Sequence, residues 1–347
     1  MKNSAYKIAG VDIELANKAK SKLPELLAST NRKGVLGKVG GFGGLFQLDI
    51  KKYKEPVLVS SVDGVGTKLK IAFAINRHDT VGQDLVNHCV NDIAVLGSEP
   101  LFFLDYIGTG ILEESVFVEL ISGFAKACAQ NNCALIGGET AQMPGFYKEG
   151  EYDVAGTIVG VVEKSKILTG KTIKPGDLII GIESSGLHTN GYSLARKIFF
   201  EKMKLKPHST IPELSGTVAE ELMKIHISYL SIIRKLIEKF NKETVKVKAF
   251  AHITGGGFID NIPRVLPKNC DAVIKKGSWD VLPIFEALQK YGKIDDAEMY
   301  QVFNMGIGMT AVVSQDIADS ALKLIKTKFK AWVIGEIIKG AQKARVV

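Results

Sequence analysis

The segment 62–70, VDGVGTKLK, places a carboxylate, two glycines and an ammonium group within a few residues of one another. It follows the apolar run PVLVSS, where a strand would end and a loop begin. The candidate ligands are Asp63 for a magnesium ion and Gly64, Gly66, Thr67 and Lys68 for the phosphates of a nucleotide. A Walker P-loop is excluded because Leu69 follows the lysine. An Asp-Gly hairpin turn with a surface lysine remains the alternative.

Four polar residues recur at helical spacing in the next segment, VGQDLVNHCVNDIAVL. They are Asp84, His88, Asn91 and Asp92. Residues three or four positions apart share one face of a helix. Asp and Asn are poorer helix formers than the Glu, Lys and Arg typical of solvated faces, which favours a functional stripe over a solvated one. We expect Asp92 to bind magnesium, with Asp84 and Asn91 as further oxygen donors at the nucleotide site.

Three more turns follow apolar strands. LIGGETAQ offers Gly137, Gly138, Glu139 and Thr140 to the nucleotide. SSGLHTNGYS predicts a phosphate site at a helix N-terminus, and AHITGGGF permits close approach of a substrate. Their candidate substrate ligands are Ser185, Gly186, Asn190, Gly191, His252 and Thr254, and His188 is a candidate proton donor. A capped helix and a tight turn that bind nothing are the structural alternatives.

Acidic residues stand at the ends of several predicted strands, which predicts that they converge at one edge of a sheet. They are Asp63, Asp105, Glu139 and Asp153. Strands and helices intermingle along the chain, so the predicted class is mixed α/β. At 347 residues, two domains are expected. A polar segment with Gly and Pro places their boundary near residue 170, giving a first domain at 1–170 with the candidate nucleotide ligands and a second at 171–347 with the candidate phosphate site.

Composition narrows the classes of function. The net charge of +8 is spread along the chain, which favours a small anionic substrate over nucleic acid. The four cysteines show no metal-site spacing, so we expect reduced, buried thiols. The N-terminus lacks a signal-peptide core, and no run approaches the roughly 20 apolar residues of a membrane helix, so a cytoplasmic location is predicted.

Three segments carry further structural expectations. Residues 12–29 predict one N-terminal helix, and residues 217–240 predict one long amphipathic helix. Residues 31–46 contain six glycines and show no helical or strand period. They predict either a flexible connection or a lid over residues 34–44.

Many long motifs occur in the order found in the phosphoribosylformylglycinamidine cyclo-ligase family, and the chain is similar to that family from about residue 6 to its C-terminus. They include AGVDIELAN, GGFGGLF, VDGVGTKLK, LIGGETAQMPGFY, SSGLHTNGYSLARKI, AHITGGGFIDNIPRVLP and EMYQVFNMGIGM. The resemblance implies a homodimer whose N-terminal domains join their sheets. It also implies ATP and Mg²⁺ as cofactors, and the cyclisation of formylglycinamidine ribonucleotide to aminoimidazole ribonucleotide, ADP and phosphate.

The resemblance also carries a nucleotide-site signature, met here by Asp92, Gly97, Ser98, Glu99 and Pro100. Ser98 stands where Ala is usual, and Gln142 replaces a Glu, so no metal role is expected at residue 142. The alternatives are related ATP users of the selenophosphate synthetase or thiamine-monophosphate kinase type, and a non-catalytic nucleotide- or nucleic-acid-binding protein. The first of these carries a reactive Cys or selenocysteine in its glycine-rich loop, and residues 31–46 contain none.

Overall fold

The computed structural model describes residues 5–11, 13–37 and 41–347. These fall into two compact units. The first comprises residues 1–93 and 99–164, and the second comprises residues 94–98 and 165–347. Each unit combines a sheet with helices, so the predicted mixed α/β class is confirmed. Among the described residues, no helix has both the length and the apolar composition needed to cross a bilayer.

The first unit is built on a four-stranded sheet with the order β3-β6-β4-β5, beside a short pair β1-β2. Its strands are β1 (Val35–Leu36), β2 (Leu45–Phe46), β3 (Pro56–Gly64), β4 (Glu99–Thr109), β5 (Ala134–Gln142) and β6 (Tyr152–Glu163). Its helices are α1 (Ala5–Ile8), α2 (Ile13–Lys20), α3 (Leu23–Ala28), α4 (Leu69–Ile75), α5 (Val81–Ala94) and α6 (Glu114–Gln130). β3, β4 and β5 run in one direction and β6 runs against them.

The two faces of this sheet differ in burial. Along β3 the side chains of Leu58 and Val62 are 63% and 67% exposed, whereas the alternate residues, including Ser61 and Asp63, are partly buried beneath α5. Successive residues of a strand point to opposite faces, so helices cover one face of the sheet and the other is open at β3.

α5 is buried along its length, from Val81 to Val90 without interruption. It crosses α6 closely, because a Cβ atom on Gly82 would lie 2.5 Å from the carbonyl oxygen of Leu120. The polar stripe of α5 therefore faces the interior, and the alternative of a solvated helix face is wrong.

The second unit contains a six-stranded sheet with the order β12-β9-β11-β7-β10-β8. Its strands are β7 (Leu178–Glu183), β8 (Val247–His252), β9 (Cys270–Ile274), β10 (Ile307–Val313), β11 (Ala331–Lys339) and β12 (Ala344–Val346). Its helices are α7 (Tyr192–Arg196), α8 (Val218–Leu222), α9 (Leu230–Phe240), α10 (Gly257–Asn261), α11 (Pro283–Gly292), α12 (Asp296–Val302) and α13 (Ala318–Ile325). A π-helical turn, Lys197–Lys202, continues α7.

The register of the central strands brings two predicted turns to one edge of this sheet. β10 lies antiparallel between β7 and β8, with Ile307 opposite Glu183 and Met309 opposite His252. The C-terminal ends of β7 and β8 therefore flank the start of β10. The segments SSGLHTNG and AHITGGG continue from these two ends.

Three local predictions are wrong. The helix predicted at 12–29 is two helices, α2 and α3, and Pro24 stands in the first turn of the second, a position that proline favours. The helix predicted at 217–240 is interrupted between α8 and α9 by residues 223–229. The glycine-rich segment includes the antiparallel pair β1-β2, although no strand period was recognised there. The predicted lid at 34–44 lies partly outside the described residues.

Candidate active site

The turn after β3 is not the Asp-Gly hairpin that stood as the structural alternative. Asp63 is the penultimate residue of β3, and the chain continues through a 3-10 turn, Gly66–Lys68, directly into α4. Gly66 has φ +68° and no atom lies within 4 Å of the place its Cβ would occupy. Glycine is needed there for the backbone conformation, and the backbone remains accessible to a ligand.

His88 on α5 brings two of the predicted carboxylates together. Its Nε2 lies 2.8 Å from Oδ2 of Asp63 and 3.7 Å from Oδ2 of Asp92. Ser61 donates a hydrogen bond to Asp92 over 3.1 Å. Asp63 and Asp92 keep 40% and 29% of their side-chain surfaces exposed, whereas His88 keeps 6%. Asp63 and Asp92 therefore form a pair of accessible carboxylates, and the buried ring of His88 contacts both.

Electrostatic interactions favour the ionised form of Asp63 and the protonated form of His88. Burial alone would raise the pKa of Asp63, but the hydrogen bond and charge of His88 and the Gly64 amide outweigh it and hold that pKa below its usual value. Burial opposes protonation of His88, yet its bond to Asp63 and the charges of Asp92, Asp63 and Asp84 together raise its pKa. The Gly64 amide donates to Oδ1 of Asp63, so it serves the carboxylate in this structure.

Lys68 lies elsewhere than predicted. Its Nζ is 2.8 Å from Oδ2 of Asp84, and both side chains are fully buried. Burial lowers the pKa of Lys68, and the charge of Asp84 only partly offsets this. The ammonium thus faces α5 in the interior rather than a surface open to phosphate. Asp84 and Asn91 are likewise 0% exposed, so the side chains predicted as oxygen donors at the nucleotide are enclosed by protein.

A row of the sheet crosses β3, β6, β4 and β5 at Asp63, Gly156, Asp105 and Gly138. Burial raises the pKa of Asp105 to about 7, with a smaller contribution from the charge of Glu139. A Cβ on Gly138 would lie 2.3 Å from Oδ1 of Asp105, so this glycine makes room for the buried carboxyl group.

The neighbouring row contains Gly64, Ala155, Tyr106 and Glu139. Adjacent rows point to opposite faces of a sheet, so Glu139 projects from the open face and Asp63 from the face beneath α5. Glu139 and Gly138 are exposed, Gly137 and Thr140 are partly exposed, and Asp153 is exposed near the start of β6. Asp63 and Asp153 lie at strand ends as predicted, whereas Asp105 and Glu139 lie within β4 and β5, because β5 continues through the predicted glycine turn. The carboxylates also divide between two faces of the sheet.

In the second unit, the first predicted turn follows β7. Ser184 donates to Oδ1 of Asn304 over 3.0 Å, and Nδ2 of Asn304 donates to the carbonyl of Gly186 over 2.8 Å. The amide of Ser185 donates to Nε2 of His188 over 3.2 Å, and the Ser185 hydroxyl donates to a backbone carbonyl at residue 225. Both donors of Ser185 thus have partners inside the protein.

His188 is buried and has φ +61°, a conformation that is uncommon for residues other than glycine. Strained backbone of this kind concentrates at functional sites. α7 begins at Tyr192, with Gly191 as its N-cap residue at φ +78° and no side-chain cap. A Cβ on Gly191 would lie 2.3 Å from the ring of Phe303, so packing as well as conformation requires glycine.

The second predicted turn, after β8, is held by the side chain of Asn261. Nδ2 of Asn261 donates to the carbonyls of Gly255 and Gly257 over 3.2 and 2.8 Å, and its Oδ1 accepts from the Thr254 hydroxyl over 3.2 Å. The two turns touch, because a Cβ on Gly255 would lie 3.2 Å from Oδ1 of Asn190. The structure therefore brings the predicted substrate ligands of the second unit to one place.

Sequence reasoning missed His226, Asn261 and Asn304. His226 lies in the segment between α8 and α9 and is fully buried. Its Nε2 is 3.0 Å from Nε2 of His252. Both asparagines lie close to glycines in segments that carry the family resemblance. An asparagine beside a glycine turn can hydrogen-bond the turn's backbone, and this is the signal that could have found them. No spacing rule relates residues 188, 226 and 252.

Comparison with known families gives two matches. The description "AIR synthase related protein, N-terminal domain" matches residues 48–162, and its C-terminal counterpart matches residues 174–347. A protein of Trichlorobacter lovleyi named phosphoribosylformylglycinamidine cyclo-ligase is 52% identical over 335 residues, covering 96% of this chain and 95% of that protein.

Solved structures share the fold at much lower identity. A thiamine-monophosphate kinase from Stenotrophomonas maltophilia has a TM-score of 0.68 and 16% identity, covering 94% of this chain and 95% of the other. A hydrogenase maturation protein HypE in complex with ATP has a TM-score of 0.67 and 15% identity, covering 95% and 90%. At this identity the likeness shows the fold alone.

Proposed function

The chain belongs to the AIR synthase related family, and from this premise we propose that it is an ATP-dependent cyclo-ligase. It converts formylglycinamidine ribonucleotide and ATP into aminoimidazole ribonucleotide, ADP and phosphate, a step of purine biosynthesis. The single observation that carries the proposal is the near full-length similarity to the cyclo-ligase of Trichlorobacter lovleyi. The solved kinase shares only the fold, so no specific observation favours a kinase reaction.

The reaction needs a leaving group and a nucleophile. An amide oxygen leaves poorly, so the γ-phosphoryl group of ATP is transferred to the formamide oxygen of the substrate. The ring-closing nitrogen of the same molecule then attacks the activated carbon, and the former amide oxygen departs in inorganic phosphate. Because the nucleophile is intramolecular, no serine or cysteine nucleophile is required. The four cysteines are buried, which agrees with a reaction that uses no cysteine nucleophile.

For the nucleotide we propose Asp63 and Asp92 of the first unit as magnesium ligands. The donor set fits the ion, since both groups are accessible carboxylates and Mg²⁺ prefers oxygen. When bound, the ion neutralises charge on the transferring phosphoryl group. His88 holds Asp63 by its hydrogen bond and keeps it ionised. The backbone amides of Gly66 and Thr67, which are both exposed, are proposed to bind the phosphates.

The remaining nucleotide residues receive different roles. Lys68 and Asp84 form a buried pair that ties the turn after β3 to α5, and so positions Asp63. Glu139, with Gly137, Gly138 and Thr140, stays proposed for the nucleotide, at the β5 edge of the sheet, which is the edge opposite β3. Asn91 is fully buried on the same helix, α5.

For the ribonucleotide substrate we propose the two turns of the second unit that follow β7 and β8. They offer Ser185, Gly186, Asn190 and Gly191 from the first turn and His252 and Thr254 from the second, with His188 as the proton-transferring group. The strained backbone of His188 and the contact between Asn190 and Gly255 support this assignment.

We further propose a homodimer in which the first units join their sheets, with the edge strand β3 in the interface. The exposed Leu58 and Val62 support a partner at this strand. The expected partner is a second copy of the chain, and a cytoplasmic location is proposed because all four cysteines are free thiols.

The test is product analysis with magnesium-ATP and formylglycinamidine ribonucleotide. We expect ADP, phosphate and the aminoimidazole to appear in equal amounts, and Asp92→Asn to lower turnover by at least about 100-fold, the scale of losing one charge-stabilising contact. ADP and phosphate without the aminoimidazole would overturn the substrate assignment. Unchanged magnesium dependence and turnover in Asp92→Asn would overturn the metal assignment.

A further inference from the structure

Three histidines from separate segments meet in the second unit. The ring of His226 stacks on that of His188, with 4.0 Å between centroids and 24° between planes. Its Nε2 lies 3.0 Å from Nε2 of His252, and the planes of those rings are inclined by 62°. All three side chains are at most 6% exposed. His188 and His252 belong to the two turns proposed to bind substrate, whereas His226 belongs to neither.

The contact between the two Nε2 atoms constrains their protons. At 3.0 Å one nitrogen must carry a hydrogen and the other must offer a lone pair, since two N–H groups cannot face each other. On its other side, Nδ1 of His226 lies 3.4 Å from Oγ1 of Thr189. In a neutral ring only one nitrogen is protonated, so the tautomer of His226 sets the direction of both hydrogen bonds.

His226 thereby adds a hydrogen-bonded link between the two turns. Asn304 ties the first turn to the start of β10, and Asn261 ties the second turn to α10. His226 bonds to Thr189 of the first turn and to His252 at the head of the second. Gly308 of β10 gives room for this arrangement, because a Cβ there would lie 2.6 Å from Cε1 of His188.

We propose that His226 is a positioning residue for the ribonucleotide substrate. It fixes the tautomer of His252 and holds the two turns in register, so that both engage the same phosphorylated ligand. The inference rests on the proposed function for the identity of that ligand. It assigns no direct contact between His226 and the substrate.

Three variants separate this role from general packing. His226→Phe keeps a ring that can stack on His188 but removes both hydrogen bonds. His226→Gln keeps a polar group near the position of Nε2, and so can restore the bond to His252. Tyr229→Phe is the matched control, because it removes another buried hydrogen bond, from Tyr229 to the carbonyl of Glu183, and leaves the histidine chain intact.

Steady-state kinetics with both substrates give the first readout. His226→Phe is expected to raise the KM for formylglycinamidine ribonucleotide about tenfold, the scale of losing one or two buried hydrogen bonds, with the KM for ATP unchanged. His226→Gln should recover part of this loss, and Tyr229→Phe should change neither KM. An unchanged substrate KM in His226→Phe would overturn the proposal. A parallel change in both KM values without recovery in His226→Gln would also overturn it, since that is the pattern of a packing defect.

Nuclear magnetic resonance of ¹⁵N-labelled imidazoles gives a readout that needs no turnover. The wild-type protein should show a protected imidazole N–H that is lost in both His226→Phe and His252→Gln. Normal wild-type turnover without this signal would overturn the inference while leaving the proposed function intact. The signal in a wild-type protein that does not turn over the ribonucleotide would overturn both the proposed function and the positioning role.

Discussion

At the scale of single residues, the sequence placed Asp63 at the end of a strand and His88 and Asp92 on one face of a helix, as the structure has them. The stripe on α5 follows from spacing alone, since residues 88 and 92 must share a face. The partner of Lys68 could not be predicted, because the pairing with Asp84 depends on how α5 packs over the turn after β3. The histidine cluster was beyond prediction for the same reason.

The buried pair of Lys68 and Asp84 should be structural. Lys68→Met is expected to lower the free energy of unfolding by about 3–5 kcal/mol, because it leaves the Asp84 charge buried without its cation. The double variant Lys68→Met/Asp84→Leu should recover much of that loss. Chemical denaturation measures both.

The matched control is the exposed pair of Lys164 and Glu55, whose side chains are 61% and 63% exposed. Lys164→Met should cost less than about 1 kcal/mol. Equal losses for Lys164→Met and Lys68→Met would contradict the account of the buried pair.

Asp105 should make the folded chain less stable as the pH rises. Its pKa is about 7 in the folded chain against an ordinary 3.8, so between these values the folded state holds a proton that the unfolded state has released. The stabilising contribution of the protonated Asp105 to the free energy of unfolding is fully present below about pH 4. It falls by up to about 4 kcal/mol between about pH 4 and pH 7, and does not change further above that.

Asp105→Asn carries no titrating proton and should remove this decline. The measurement is the free energy of unfolding of both proteins at a series of pH values between 4 and 8, taken as a difference so that other groups cancel. A difference that does not change with pH would show that Asp105 titrates normally in the folded chain.

At the scale of elements, the strands β3 to β7 and the helix α5 follow from apolar runs and helical period, and the structure confirms them. Breaks within helices were not predictable. Residues 223–229 keep apolar side chains at helical spacing but form no helix. They place His226 against His252 at the sheet edge, a contact between distant segments that local spacing does not encode. The row of residues across β3, β6, β4 and β5 depends on register, which sequence alone does not specify.

That register gives a sharp packing test in β5. Gly138→Ala should destabilise the first unit by about 1–3 kcal/mol or more, because the new Cβ would lie 2.3 Å from Oδ1 of Asp105. Gly137→Ala is the matched control, since its nearest neighbour would be Leu104 Cδ2 at 3.6 Å, an ordinary contact. Thermal unfolding compares the two. Equal stability of both variants would contradict the register between β4 and β5.

At the scale of the whole molecule, an open apolar sheet face predicts self-association. Light scattering of the wild-type protein should give twice the chain mass of 37.7 kDa. Val62→Glu should shift it to the monomer, because a carboxylate would be buried without a partner. Val245→Glu, at another exposed valine, should leave the dimer intact. A monomeric wild-type protein, or a dimer that survives Val62→Glu, would contradict the proposed arrangement.

The central claim is that the formamide oxygen of the substrate is phosphorylated and then leaves with phosphate. The most direct measurement uses formylglycinamidine ribonucleotide labelled with ¹⁸O at that oxygen, with mass spectrometry of the inorganic phosphate. The account predicts that each phosphate released carries one ¹⁸O atom while the aminoimidazole carries none. Unlabelled phosphate would mean that ATP is hydrolysed by water, and would contradict the mechanism.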